Sequence, residues 1–452
     1  MIREILFVFF LIFNINLFGQ VFDSCRFEVD YKYGDHEFNV VNMKNDGLIL
    51  FRKEKRFFEG RQKPWQIIVL DTFLNKKNEI TIHAEFEYHL LGYEYKKGFF
   101  FMLFSDGYFS DSNYYIYKIN LETAESEIHS ITNEIELDLS HFLIIENQVI
   151  LGGKIKNRPT IVHFDLNTDM IQVLPGFYRD DTDLVNLKEN KNGSFNVLFL
   201  EKEHGTRANI LNLKVFNSQG TLLMESTSKL PEEYRVLSGN TNKLEYSDLI
   251  VSGTYSERNN KLSQGLYYIN MRPGDENPVK FIPYTNLSNF FSHLGERRES
   301  RIKEKIRQST TEKPFEFKTS FVVWEINETP EHYEIFGEVI DPQYDPSYNQ
   351  RVANRNYGNP YYNDPRNFES LSRYYQTTHS LLNNDYLVSI KFRGANLIVI
   401  NKEGSFENDY SMTIKEKDKT IMEKVSSYYY SNNGAHFFYK DEEEIFHAFR
   451  DS

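Results

Sequence analysis

The chain has 452 residues, a formal net charge of −13 at neutral pH, one cysteine, and 30 tyrosines alongside 38 phenylalanines. The acidic balance argues against nucleic acid, whose phosphates call for a basic footprint, and a lone cysteine excludes any intramolecular disulfide. What remains is a chain long enough for a large core, or one that grows by repetition, and rich in the aromatic residues that favour strands.

Arg3 precedes an unbroken apolar run from Ile5 to Phe13, which Asn14 and Asn16 weaken before Leu17, Phe18 and Gly19. A short basic start, an apolar stretch and a small residue at the cut form the layout of a secretory signal peptide over 1–19. The run falls short of the ~20 apolar residues of a membrane span. The mature chain, 20–452, is therefore expected to start near Gln20, to be exported to the periplasm or outer envelope, or secreted, and to carry no transmembrane segment. Lipidation of Cys25 is the weaker alternative, because Asp23 puts a charge where a lipoprotein signal carries small or apolar residues.

A pattern then repeats. A turn with Asn, Asp or Gly leads into a strongly apolar strand, followed by a polar loop and a second strand. It occurs as NDGLILFRKEK from Asn45 with WQIIVLDTF from Trp65, and as KGFFFMLFSDG from Lys97 with NYYIYKINLETAE from Asn113. It returns as NQVILGGKIK from Asn147 with PTIVHFDLNTD from Pro159, NGSFNVLFLEKE from Asn192 with ANILNLKVFNSQG from Ala208, and SDLIVSGTYSE from Ser247 with QGLYYINM from Gln264. Weaker flanking strands accompany them, such as EITIHAEFEY from Glu79 and MIQVLP from Met170. Four strands in roughly 40–50 residues is the size of a propeller blade. The continuous apolar strands predict burial on both faces, and alternation at Tyr115, Tyr117 and Ile119 predicts a half-exposed neighbour.

The regularity breaks at 286–308. Ser288 or Asn289 can cap a helix there, with Phe291, Leu294, Ile302 and Ile306 on one face and Glu299 four residues before Lys303. Arg297, Arg298, Arg301 and Lys305 make this helix a basic strip suited to an acidic partner. Strands resume with FVVWEI from Phe321 and HYEIFGEVID from His332. The stretch 342–379 then has turn chemistry without a helix or strand period. The pattern returns as NDYLVSIKF from Asn384 paired with ANLIVINKEG from Ala395, and ends with NNGAHFFYKDEEEIFHAF from Asn432. The expected fold is all-β: a single β-propeller domain of about seven four-stranded blades, the last incomplete, with one inserted amphipathic helix. Six or eight blades are also compatible with the spacing. The segment RFEVDYKY from Arg26 is the expected closing strand.

The residues FFSHLGERRESRIKEKI and HYEIFGEVIDPQYDPSY, within Ser247 to Ser405, resemble those of an uncharacterised family of exported bacterial propeller-like proteins. That resemblance implies the fold and export, and it implies no activity.

Chemistry is harder to read. The nucleophile elbow, zinc-protease, phosphate-loop and dinucleotide motifs are absent, and the twelve histidines are scattered without metal-ligand spacing. His163 and His436 sit in apolar strands and are expected to be satisfied core residues. The acidic groups Asp180, Asp181 and Asp183, and Asp106 with Asp111, fit solvated turns better than calcium loops. No catalytic residue, metal or cofactor is assigned. The long loop carries Tyr357, Tyr361, Tyr362, Asn359 and Asn363, the aromatic-plus-amide mixture of binding surfaces for polar ligands. Two functions follow from this. One is a noncatalytic binding or scaffolding propeller of the bacterial cell envelope, with a glycan or envelope protein as partner. The other is a carbohydrate-active hydrolase or lyase with carboxylates converging in the central funnel, a geometry that spacing in the sequence cannot reveal.

Overall fold

The computed structural model describes residues 26–451 except 31–35, 37, 56–59, 108–111, 157, 177–181, 203–207, 246–247, 258–261, 275–276, 311–313, 345–386, 420–421, 432 and 442–443. The chain forms two compact units, Met1–Phe86 with Leu121–Glu125, and Glu87–Asn120 with Ser126–Ser452. The described strands make seven antiparallel sheets, six of them meanders of sequence neighbours and one in which the first two strands both pair with the third. That is an all-β, propeller-type organisation, as the repeat leads one to expect.

The first unit holds one sheet, β1 (Asn39–Asn42), β2 (Leu48–Lys53), β3 (Gln62–Leu70) and β4 (Lys76–Glu85), in that order. Ile49, Phe51, Trp65 and Ile67 are buried in it. Arg26–Asp30 joins no strand, so the expected closing strand is not formed by those residues; the Asp30 carbonyl instead accepts from the Arg52 guanidinium at 3.2 Å.

The second unit holds six sheets. The second sheet is β5 (His89–Lys96), β6 (Phe99–Ser105), β7 (Tyr114–Asn120) and β8 (Ser126–Ile131), and the third is β9 (Asp138–Ile145), β10 (Gln148–Ile155), β11 (Arg158–Asp165) and β12 (Met170–Val173). The fourth is β13 (Thr182–Glu189), β14 (Phe195–Lys202), β15 (Asn209–Phe216) and β16 (Leu222–Lys229). In the fifth, β17 (Tyr234–Val236) and β18 (Asn240–Thr241) both pair with β19 (Ile250–Glu257), followed by β20 (Gly265–Asn270) and β21 (Lys280–Pro283). The sixth is β22 (Ser320–Glu328), β23 (His332–Tyr344), β24 (Leu387–Asn401) and β25 (Phe406–Lys419); the last has only β26 (Ser426–Ser431), β27 (Gly434–Asp441) and β28 (Glu444–Asp451). Within this unit β5 lies beside β9, β9 beside β13, β13 beside β18 and β18 beside β22. The second to sixth sheets thus stack in sequence through these strands, and the last sheet meets the sixth through β25 with β27 and β28.

Stacking face to face explains the burial. β10 is buried from Gln148 through Gly153, and β19 from Ile250 through Ser256. The third strands are buried too: Tyr117 and Ile119 of β7 are covered, which corrects the expectation that this strand is half-exposed. Exposure begins at the fourth strand, where Ser126, Glu127 and Ile128 of β8 face solvent. The alternation of β7 reflects the polar Lys118 and the half-buried Tyr115 rather than a wet face.

Two boundaries differ from expectation. NDYLVSIKF and ANLIVINKEG are not a strand pair. From Leu387 onward they form one 15-residue strand, β24, whose register with β25 shifts between Phe392 and Gly394. The stretch 342–379 begins three residues too early, since Pro342, Gln343 and Tyr344 still belong to β23 and pair with Ile390, Ser389 and Leu387. Gly337 of β23 is there for space, because a β-carbon would overlap the Phe321 ring and the Val322 carbonyl oxygen.

The helix is shorter than its apolar period suggests. Tyr284–Asn286 and Phe290–Leu294 are 3-10 turns, and α1 spans only Glu296–Arg307. Gly295, at φ 77° and ψ 153°, breaks the helical path. Ser288 and Asn289 do not cap with their side chains. Their N–H groups are bound by the buried Asp409 carboxylate of β25, at 2.8 and 2.7 Å. The apolar face is as expected, with Leu294, Ile302 and Ile306 packed on a cluster that includes Phe290, Phe291 and Phe321. Glu299 and Lys303 pair at 2.7 Å.

Candidate functional site

Four of the strands through which the sheets stack, β5, β13, β18 and β22, carry polar side chains. Glu94 and Lys96 alternate with Tyr93 and Tyr95 at the end of β5, and all four are half-buried. Glu94 Oε2 accepts the Ile144 N–H of β9 at 2.6 Å, joining the second sheet to the third. Lys96 contacts Glu94 at 3.2 Å and also reaches Glu189 at the end of β13, in the fourth sheet. One ammonium therefore sits between two carboxylates from sheets that are not neighbours. Burial pushes the Glu94 carboxyl above its ordinary range, against the pull of Lys96 and the Ile144 amide.

Next along β13, Lys188 donates to Asn240 Oδ1 at 3.1 Å and to the Thr241 carbonyl at 2.6 Å. Asn240 in turn donates to the Trp324 carbonyl at 2.9 Å, tying β18 to β22. Behind these residues lies an amide network. Asn196 donates to Asn190 Oδ1 at 2.9 Å and to Thr241 Oγ1 at 3.2 Å, and Thr241 donates to Asn186 Oδ1 at 3.2 Å. Asn242 donates to Glu328, which pairs with Lys402 at 3.0 Å. Satisfied buried networks of this kind fix one arrangement of strands.

On the far side of β22, Glu325 pairs with Lys424, and Trp324 donates its indole N–H to Glu338 of β23 at 2.6 Å. Glu338 is fully buried. It also accepts the Ser426 N–H at 2.8 Å, the Ser426 hydroxyl at 2.5 Å and the Val425 N–H at 3.2 Å. Burial outweighs these bonds and raises its pKa to about 7.

The residues singled out in the sequence fall elsewhere. Tyr357, Tyr361, Tyr362, Asn359 and Asn363 lie outside the described residues, as do Cys25, Asp111, Asp180 and Asp181. Arg297, Arg298, Arg301 and Lys305 are exposed on α1, with the Lys305 ammonium 5.6 Å from the centre of the Phe315 ring. Asp183 pairs with Lys154 at 2.7 Å. Asp106 closes a turn by accepting from Asn113 and Tyr115. His163 is buried against the Ser218 carbonyl at 2.8 Å, as expected of a core histidine. His436 is not a core residue. It lies on the outward face of the last sheet, its Nδ1 3.0 Å from Nε2 of His447. Their ring centres are 5.2 Å apart and tilted by only 7°. Among the described residues no group of three or more His, Cys, Asp or Glu side chains could hold a metal ion, and no helix is long and apolar enough to cross a membrane.

Four- and five-stranded antiparallel sheets stacked in sequence through β5, β9, β13, β18 and β22 define a propeller-type repeat protein. No family model and no curated protein matches the chain. Among solved structures it is similar to the β-propeller domain of the Trilobed protease from Pyrococcus furiosus, at 10% identity and a TM-score of 0.32, over 80% of this chain and 95% of that one. It is also similar to the polysaccharide lyase Uly1, at 7% identity and a TM-score of 0.36, over 78% of this chain and 86% of that one. Similarity to cobalt-substituted Synechocystis ACO, at 6% identity and a TM-score of 0.31, covers 55% of this chain and only 64% of that one.

Proposed function

We propose that this is an exported, noncatalytic binding or scaffolding protein of the bacterial cell envelope, whose ligand seats against the polar ends of β5, β13, β18 and β22. The observation that carries this reading is the mutual pairing of the charged groups there. Lys96 occupies both Glu94 and Glu189, and Lys424 occupies Glu325. General acid–base work needs a carboxyl within reach of the substrate proton, whereas these carboxyls are already held by lysines. Amides, a half-buried Trp324 and paired charges suit recognition of a glycan or of an envelope protein. The basic face of α1 and the tyrosine-rich stretch after β23 remain further surfaces for the same partner.

One observation favours a hydrolase or lyase instead: Glu94 and Glu189 converge on a single ammonium, and the Glu94 carboxyl is raised. Incubating the protein with acidic and neutral oligosaccharides separates the two readings. Binding detected by calorimetry with no new reducing ends or unsaturated products supports the binding protein. Turnover that falls by ~100-fold or more in E94Q or E189Q would establish the enzyme. Export rests on the N-terminal apolar run. N-terminal sequencing of the envelope fraction should read from Gln20, and an intact Met1 in the soluble cytoplasm would refute it.

A further inference from the structure

Several lysines on or beside the stacked sheets have a carboxylate partner. Lys96 has Glu94 and Glu189, Lys154 has Asp183, Lys402 has Glu328 and Lys424 has Glu325. Lys188 differs. Its two acceptors, Asn240 Oδ1 and the Thr241 carbonyl, are both neutral. The neighbouring Glu189 is engaged by Lys96, and Glu325 by Lys424. Lys243, just beyond β18, adds repulsion, and only Glu325 attracts from a distance. An ammonium taken out of water without a counter-ion is costly unless it gains a partner or gives up its proton.

The geometry around this cation is built rather than incidental. Asn240, through its bond to Trp324, holds the acceptor that fixes the ammonium, and the Asn196–Thr241–Asn186 bonds brace the same turn from behind. An ammonium has three N–H bonds; two are used by Asn240 and Thr241, and the residue is only partly buried, which leaves the third for a ligand.

We propose that Lys188 anchors an anion subsite that takes the carboxylate or phosphate group of an acidic ligand. This rests on the reading of the protein as a binding protein. The bound anion supplies the counter-charge that the fold withholds, while Asn240 and Thr241 hold the ammonium in place. Burial lowers the Lys188 pKa to about 7. Since only the protonated form attracts an anion, affinity falls as pH rises through that value. The charged groups facing it are Lys243 and Glu325.

The test is calorimetric titration of the full mature chain with oligogalacturonate and with a neutral galactan oligosaccharide, and competition by inorganic phosphate. Wild type should bind oligogalacturonate at pH 6 and lose ~10-fold or more by pH 8. Phosphate should compete. K188M should lose ~10-fold or more at pH 6, whereas K188R, charged at both pH values, should keep binding and flatten the pH profile. Circular dichroism checks that K188M is folded, and K188R carries the test if it is not. Equal binding of oligogalacturonate by K188M and wild type at pH 6 would overturn the subsite. So would binding of the neutral oligosaccharide alone, an outcome that leaves the binding-protein reading standing. Binding of neither probe counts against both.

Discussion

Replacing Glu338 with Ala should destabilise the protein by roughly 4 kcal/mol and release the last sheet first. The substitution leaves the Trp324 indole N–H, the Val425 and Ser426 amides and the Ser426 hydroxyl without their acceptor in a buried place. Each stranded donor costs about 1–3 kcal/mol. Hydrogen exchange should show lost protection in β26, β27 and β28 before the other strands respond. The pH dependence has a definite sign. A glutamate that titrates near 4.3 when unfolded and at about 7 when folded contributes stability that is complete below the lower value and is lost as pH rises through the upper one. Relative to E338Q, wild type should therefore lose roughly 2 kcal/mol between pH 5 and pH 8. A constant difference between the two proteins, followed by urea denaturation across that range, would refute the assignment.

The second large effect is expected at Phe290. Its ring is fully buried, stacks on Tyr284 with centres 4.2 Å apart and planes 8° from parallel, and meets Phe291 and Phe321 at 5.6 Å. Phe290→Ala should cost about 3–5 kcal/mol, the range for deleting a buried ring. The cavity would open between the 3-10 turn and the sixth sheet, so α1 should lose its footing even where its own sequence is unchanged. Phe290→Leu, which refills most of the volume, should recover the greater part. Unaltered stability in the Ala variant would mean that the Asp409 carboxylate, and the Ser411 hydroxyl that donates to the Asn289 carbonyl at 2.6 Å, hold the segment without the ring.

Much of the fold was legible because its signals are local. The turn–strand–turn pattern located β2 and β3, β6 and β7, β10 and β11, β14 and β15, and β19 and β20, since each apolar run is bounded by residues that need turn conformations. The apolar face of α1 was readable from Ile302 and Ile306, but its start was not, since Leu294 belongs to the 3-10 turn before it. Ser288 and Asn289 are good caps by composition, and only the tertiary Asp409 shows that the N–H groups are satisfied from outside the segment. The site was illegible for a related reason. Glu94, Lys188, Glu189 and Glu338 sit within or at the ends of strands without motif spacing. The first three acquire meaning only when β5, β13 and β18 are brought together, and Glu338 only when β22 and the start of β26 meet at β23. His436 and His447, eleven positions apart, become neighbours only through the pairing of β27 with β28.

The Lys96 contact with Glu189 has a consequence for how the second unit comes apart. Repeat proteins behave as one-dimensional arrays in which each unit feels its immediate neighbours, so they can fray from an end. Here the second and fourth sheets are coupled directly, past the third. Opening the third sheet alone would strain a bond it does not own, and opening the second takes from Glu189 its Lys96 partner. Those three sheets should consequently unfold as a single cooperative block.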